Sequence, residues 1–144
     1  MTRQTEKALV YVTRRGKLLV FDHPNHPAAG TQVPGGTIED AETPIEAARR
    51  ELREESGLEE FDVVDKLGTA TFDMSKWRDE RQHRHFFWIR CGEPTPPSWR
   101  GWERDHGDPI ALDFRWVPFE ALPELHAGQG ALLTQLRDRS DRCP

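Results

Sequence analysis

Residues 36–58 read GTIEDAETPIEAARRELREESGL, and the reading of this stretch decides the fold. Its middle is a helix with both ends marked. Thr43 is a good N-cap, Pro44 suits the first helical position and Glu46 completes a capping box. Gly57 is placed to close the helix in a left-handed turn. The expected helix therefore runs from Pro44 to Ser56, with Ile45, Ala48 and Leu52 as its apolar stripe. On that helix Glu51, Glu54 and Glu55 stand at i, i+3 and i+4 and share one face. Like charges at that spacing cost roughly 0.2–0.5 kcal/mol per pair. Carboxylates in the last turns also oppose the helix dipole, by about 0.3–1 kcal/mol each. A sequence selected for helix stability alone would carry Lys or Arg there. Two readings follow. One is a solvated acidic face with nearby arginines as partners, Glu46 with Arg50 being a favourable i, i+4 pair. The other is a site for a hard divalent cation, which removes the repulsion and takes oxygen ligands. The adjoining Gly35-Gly36 turn offers bare backbone carbonyls to such an ion.

Upstream, KALVYVTRRGKLLVFD alternates, breaks at Arg14-Arg15-Gly16 and resumes, which reads as a β-hairpin. HPNHPAAG is a loop. TQV reads as a short strand that stops in a flexible PGG turn. Downstream, FDVVDKLGTATFDM is strand material with a bend at Gly68, and HRHFFWIR is a second strand. EPTPPSWRGWERDHGDP reads as a long loop and LDFRWVPF as a last strand stopped by Pro118. EALPELH and GALLTQLRDR read as two short helices around Gly128. Strands and helices mix without regular βαβ alternation. The expected architecture is α/β, a central mixed sheet with helices on both sides.

The whole chain of 144 residues is expected to be one domain. Charged residues make up 31% and the net charge is −5. Without a basic run or arm, tight binding to duplex nucleic acid is not expected. Ten of the 25 acidic residues fall between Gly36 and Asp62, against three arginines, a local excess that points to a cation partner. Cys91 and Cys143 are the only cysteines. Cys91 is expected to pack in a strand and Cys143 to fray near the C-terminus. With no CxxC spacing, a reducing compartment is expected. No segment is apolar enough for a signal peptide or membrane span, so cytoplasm is the default.

The spacing decides between the two readings of the glutamate face. The stretch resembles the Nudix box, Gly-x5-Glu-x7-Arg-Glu-U-x-Glu-Glu-x-Gly-U with U aliphatic. Gly36, Glu42, Arg50, Glu51, Leu52, Glu54, Glu55, Gly57 and Leu58 match every fixed position, and Pro34-Gly35 also looks like the family. The resemblance implies an α/β/α sandwich around a mixed sheet. It implies hydrolysis of a pyrophosphate bond in a nucleoside diphosphate linked to another group. Glu51, Glu54 and Glu55 would bind Mg²⁺ or Mn²⁺ with help from the Gly36 carbonyl. Arg50 would orient a box glutamate rather than touch substrate, and Glu42 would support the loop and helix. Family members differ in which glutamate is the general base. The candidates here are Glu54 inside the box and Glu103 in GWERDHGD, with Glu80 and Glu93 competing for the downstream role.

For the substrate, a small nucleotide-type molecule, Trp77 and Trp102 are stacking candidates because they lie in polar stretches. Their alternative is burial as local staples. Arg78, Arg81 and Arg84 are phosphate candidates, with solvated surface as the alternative. His83 and His85 alternate on a strand and share a face with Phe87. A His-x-His pair can bind metal, but with a carboxylate site present a structural or substrate-contact role is preferred. His23 and His26 are candidates for the site entrance. The signatures that mark dinucleoside polyphosphate, ADP-ribose, NADH and coenzyme A subfamilies are missing, so the substrate stays open among nucleoside triphosphates, dinucleoside polyphosphates, nucleotide sugars and 5′-phosphorylated RNA. The oligomeric state is open too, with a homodimer as one option. Three other functions fit the sequence less well. A catalytically silent module that binds a nucleotide and regulates a partner would be expected to have lost box glutamates. A prenyl diphosphate isomerase would need an early cysteine. A plain Ca²⁺-binding domain does not account for the full box.

Overall fold

The structure, a computed structural model, describes residues 2–104 and 107–142; Cys143 lies outside them. Among these residues seven strands form one mixed sheet. They are β1 (Arg3–Arg14), β2 (Lys17–Asp22), β3 (Gly35–Thr37), β4 (Phe61–Asp73), β5 (Glu80–Cys91), β6 (Ser98–Glu103) and β7 (Ile110–Pro118). Their order is β4-β5-β1-β2-β7-β6, with β3 paired to β1. β1 and β5 run parallel over a long register from Arg3↔Glu80 to Thr13↔Arg90, and the other ladders are antiparallel.

Two helices, α1 (Pro44–Ser56) and α2 (Leu133–Arg142), cover the two faces. Side chains alternate across a strand, and β1 uses both sides. Ala8, Val10 and Val12 pack with Ala48 and Leu52 of α1. Leu9 and Tyr11 pack with Leu132 and Leu136 at the start of α2. This is the expected α/β/α layering. The β1–β2 turn is a tight one, with positive φ at both Arg15 (52°) and Gly16 (77°), as a type I′ hairpin requires. The α1 ends are as the sequence indicates. Thr43 Oγ1 accepts from Glu46 N and Glu46 Oε1 accepts from Thr43 N, while Gly57 takes φ +79°. Gly68 marks a register shift in β4. Cys91 is buried on β5.

Three expectations need correction. Gly35 and Gly36 are not a flexible turn but part of β3, paired with Leu9 and Ala8. The residues before them make only an isolated bridge, Phe21 with Gln32. Glycine removes the side-chain signal of a strand, and here the backbone needs the room, since a Cβ on Gly35 would stand 2.4 Å from the Ala8 carbonyl. Second, the expected loop 93–109 contains β6, paired with β7 from Ser98↔Arg115 to Glu103↔Ile110. The prolines before it and Gly101 within it hide the strand. Third, EALPELH is not a helix. Pro123 interrupts it, and it forms short 3₁₀ turns at Phe119–Ala121 and His126–Gly128. α2 begins only at Leu133.

Candidate active site

α1 lies with its second half against β3 and β6, so the glutamates of its last turns are held between two strands. They are not equivalent. Glu51 and Glu55 are buried, 5% and 6% exposed, while the Glu54 side chain is 48% exposed. The Glu51 carboxylate lies directly on Gly36, where a Cβ would come 2.5 Å from Oε1. Glu55 Oε1 accepts the Gly35 N–H at 2.9 Å. The two glycines of β3 thus bring bare backbone against both carboxylates.

Arg50 ties this cluster together from the side. Its Nε and Nη2 donate to the two oxygens of Glu42 at 2.7 and 2.9 Å. Nη1 donates to Glu51 Oε1 at 2.8 Å and to Glu54 Oε2 at 3.4 Å, and Nη2 also reaches the Thr37 carbonyl at 3.1 Å. The fork-to-fork pair with Glu42 is the strong, geometry-fixing kind. It holds the Glu42 carboxyl below its ordinary range and raises the already high Arg50. The expected Glu46–Arg50 pair gives way to this arrangement, because the Glu46 carboxylate is occupied in capping Thr43.

Glu51, Glu55 and Gly36 open onto a cleft of about 690 Å³. Glu103 lines the same cleft, brought there by the end of β6. Neither Glu80 nor Glu93 is part of the lining. Glu80 is buried, accepting from Thr5 Oγ1 at 2.6 Å and pairing with Arg78, and Glu93 accepts the Glu59 N–H. Basic and polar groups line the same cleft, namely Lys7, Arg78, Gln82 and Arg84, and Lys7 Nζ donates to Thr37 Oγ1 at 2.6 Å beside Gly36. Arg84 is 2% exposed. Its guanidinium donates to Gln82 Oε1 and to the Ala127 carbonyl and lies over the Phe72 ring. Burial pushes it down to about 10, against the opposing influence of Tyr11 and Glu80. His23 also lines the cleft. Burial lowers its imidazole, partly opposed by Glu103.

Of the stacking candidates, neither lines the cleft. Trp77 is 43% exposed and meets the edge of His126, a lining residue, at 5.0 Å. Trp102 is exposed on β6, with Arg104 over its ring. Arg78 does line the cleft, while Arg81 and His26 do not. The sequence reading missed Lys7, Gln82, His126 and Gln129 as lining residues. The first two carry a usable signal. Lys7 shares the strand face of Leu9, and Gln82 that of Arg84. His126 and Gln129 arrive from the irregular segment before α2 and carry none.

The donor set fits a hard divalent cation. Glu51, Glu54, Glu55 and a backbone carbonyl at Gly36 are all oxygen. A side chain at residue 36 would fill the cradle in which Glu51 sits.

The sequence matches the NUDIX domain model over residues 3–136. No curated protein matches it significantly. The fold is similar to that of a UDP-X diphosphatase, with a TM-score of 0.72 at 14% identity over the whole of this chain. The chain spans only 66% of that protein's length. A MutT Nudix hydrolase from Burkholderia pseudomallei superposes with a TM-score of 0.67 at 20% identity, covering 93% of this chain and 98% of its own. An ADP-ribose pyrophosphatase from Streptococcus suis gives 0.64 at 16% identity, covering 94% and 91%. At these identities the structural likeness speaks for the fold.

Proposed function

Because the chain belongs to the Nudix family, we propose that it is a pyrophosphohydrolase, cleaving a phosphoric anhydride in a nucleoside diphosphate linked to another group. One observation carries the reading. The carboxylates of Glu51, Glu55 and Glu103, from two separate elements, line one cleft together with the cations Lys7, Arg78 and Arg84. A cleft lined by both carboxylates and cations suits a substrate that is itself polyanionic and comes with a cation.

In this proposal Glu51, Glu54 and Glu55, with the Gly36 carbonyl, hold Mg²⁺ or Mn²⁺. Bound there, the cation supplies charge neutralisation for phosphoryl oxygens and a lower barrier to attack at phosphorus. The chain's own residues do the rest. Arg78 and Lys7 bind phosphate oxygens and align the anhydride. Glu103 takes a proton from the water whose oxygen attacks phosphorus, as the bridging P–O bond breaks towards the leaving group. Glu54 is the second candidate base, but it faces Arg50 at the exposed edge of α1. Arg50 touches no substrate and holds Glu51 and Glu54 in place. Trp77 is assigned to the rim through His126, and Trp102 to the outer edge of β6, where each can stack only on a substrate part that projects from the cleft.

The proposal extends to one domain over residues 1–144, a small nucleotide-type substrate and a cytoplasmic setting, with a homodimer as an option for the assembly. Among the described residues no helix is long and apolar enough to cross a membrane.

The test is a panel of nucleoside triphosphates, dinucleoside polyphosphates, nucleotide sugars and 5′-phosphorylated RNA, each with Mg²⁺ or Mn²⁺, with products identified. Cation-dependent release of phosphate or a nucleoside monophosphate, abolished in Glu55→Gln, is expected. Tight nucleotide binding without turnover would instead indicate a silent, regulatory module.

A further inference from the structure

A second cluster of metal-ligating side chains lies at the edge of the sheet face that α1 covers, in line with Ala8 and Phe87. Lys7, Gln82 and Arg84 face the cleft. By strand alternation their neighbours Glu6, His83 and His85 face away from it. Glu6 and His83 are direct partners on the parallel strands β1 and β5, and His85 lies one repeat further along the same face. His83 Nδ1 is 2.9 Å and His85 Nε2 3.0 Å from the same oxygen, Glu6 Oε1. The two rings meet edge to face at 4.7 Å. One ligand atom from each residue falls within 4.8 Å of the others.

We propose that Glu6, His83 and His85 form a transition-metal site, selective for Zn²⁺ or a similar first-row cation over Mg²⁺. Two imidazoles and one carboxylate are the ligand set that first-row metals take, and nitrogen donors disfavour Mg²⁺. The carboxylate and His83 are partly open to solvent while His85 is nearly buried, which leaves outer coordination positions for water. Two parallel strands fix the ligands without a loop, so little ordering is needed on binding. A metal would take the place of the hydrogen bonds that now join the histidines to Glu6. One group opposes it. Lys66 Nζ lies 2.9 Å from His85 Nδ1, and a ligating His85 needs a proton on that nitrogen. Lys66 is exposed and must swing away, so it weakens the site without blocking it.

The test uses the full chain in excess Mg²⁺, which occupies oxygen-only sites, titrated with Co²⁺ as a visible probe. One equivalent is expected to give d–d absorption of a nitrogen-ligated, low-coordinate ion, displaced by Zn²⁺. His83→Gln and Glu6→Gln, both at partly exposed positions, should each weaken binding by more than the ~10–100-fold typical of losing a mere supporting contact. Circular dichroism checks their folding. Lys66→Met should tighten binding, and Glu54→Gln should leave it unchanged. Absence of the visible band in the wild-type chain would overturn the proposal. So would a band that survives undiminished in both ligand variants, or one lost in Glu54→Gln.

Discussion

The Glu51 carboxylate occupies the space in which a side chain on Gly36 would begin, with Cδ only 2.4 Å from an ideal Cβ position. Gly36 is not among the positive-φ glycines, so its requirement is for room and not for backbone freedom. Gly36→Ala should therefore fold, as judged by circular dichroism, yet push Glu51 off its seat. We expect hydrolysis to fall by at least about 100-fold, the scale of misplacing a group by an ångström, with a higher cation concentration needed for half-maximal rate.

Glu103→Gln removes a proton acceptor while keeping shape. Loss of a general base costs typically 10²–10⁴-fold in rate, and kcat should fall by that order with little change in KM. Glu93→Gln, outside the cleft, should match the wild type. A full-rate Glu103→Gln enzyme would move the role to Glu54.

The fork between Arg50 and Glu42 predicts a titration shift. Arg50 hydrogen bonds hold the Glu42 carboxyl below its ordinary value of 4.5. In Arg50→Met that carboxyl should titrate closer to 4.5, followed by side-chain carboxyl NMR. Arg50→Lys should restore charge but not the planar fork, leaving activity well below wild type.

Glu80 makes stability fall in acid. Burial alone would raise its pKa, but the Thr5 hydroxyl and Arg78 outweigh this and bring it from 4.5 to about 2. A carboxyl depressed in the folded state stabilises above its unfolded pKa and loses that contribution as pH drops through the folded one. The window is thus from about 4.5 down to about 2. Because Arg78 is half-exposed, we discount the effect to the order of 2 kcal/mol. Urea melts at several pH values should show this loss, and Glu80→Gln should flatten it.

Tyr11 fastens the segment before α2. Its hydroxyl donates to the Gln129 carbonyl at 2.6 Å and accepts from Leu132 N at 3.2 Å, and Gln129 in turn accepts the Val33 N–H. Tyr11→Phe leaves two buried backbone groups without this partner, a cost of about 1–3 kcal/mol, readable as a lower midpoint in thermal unfolding.

What was legible in the sequence is local. The α1 caps, the Arg15-Gly16 hairpin and the β4 bend are each written in adjacent residues, and the structure keeps them. The glutamate face was legible as a unit, but its division was not. Glu51 and Glu55 are buried because β3 and β6 close over them, and two of the three residues of β3 are glycines, which carry no strand signal. β6 was hidden for a related reason. Its prolines lie just ahead of it, and Gly101 is required by a contact with a distant helix. Cleft residues such as Gln129 depend on Tyr11, far away in sequence, and no local pattern encodes that meeting.

That helix contact reaches further than packing. A Cβ on Gly101 would stand 2.0 Å from the Glu55 carbonyl, and the neighbouring Trp99 indole donates to the Ser56 carbonyl at 2.8 Å. The edge strand is therefore geared to the same turn that presents Glu55. Glu103, two residues along, is held by that gear and by its pairing with Ile110. A movement of that turn would therefore carry the Glu55 and Glu103 carboxylates together, as two teeth on one wheel.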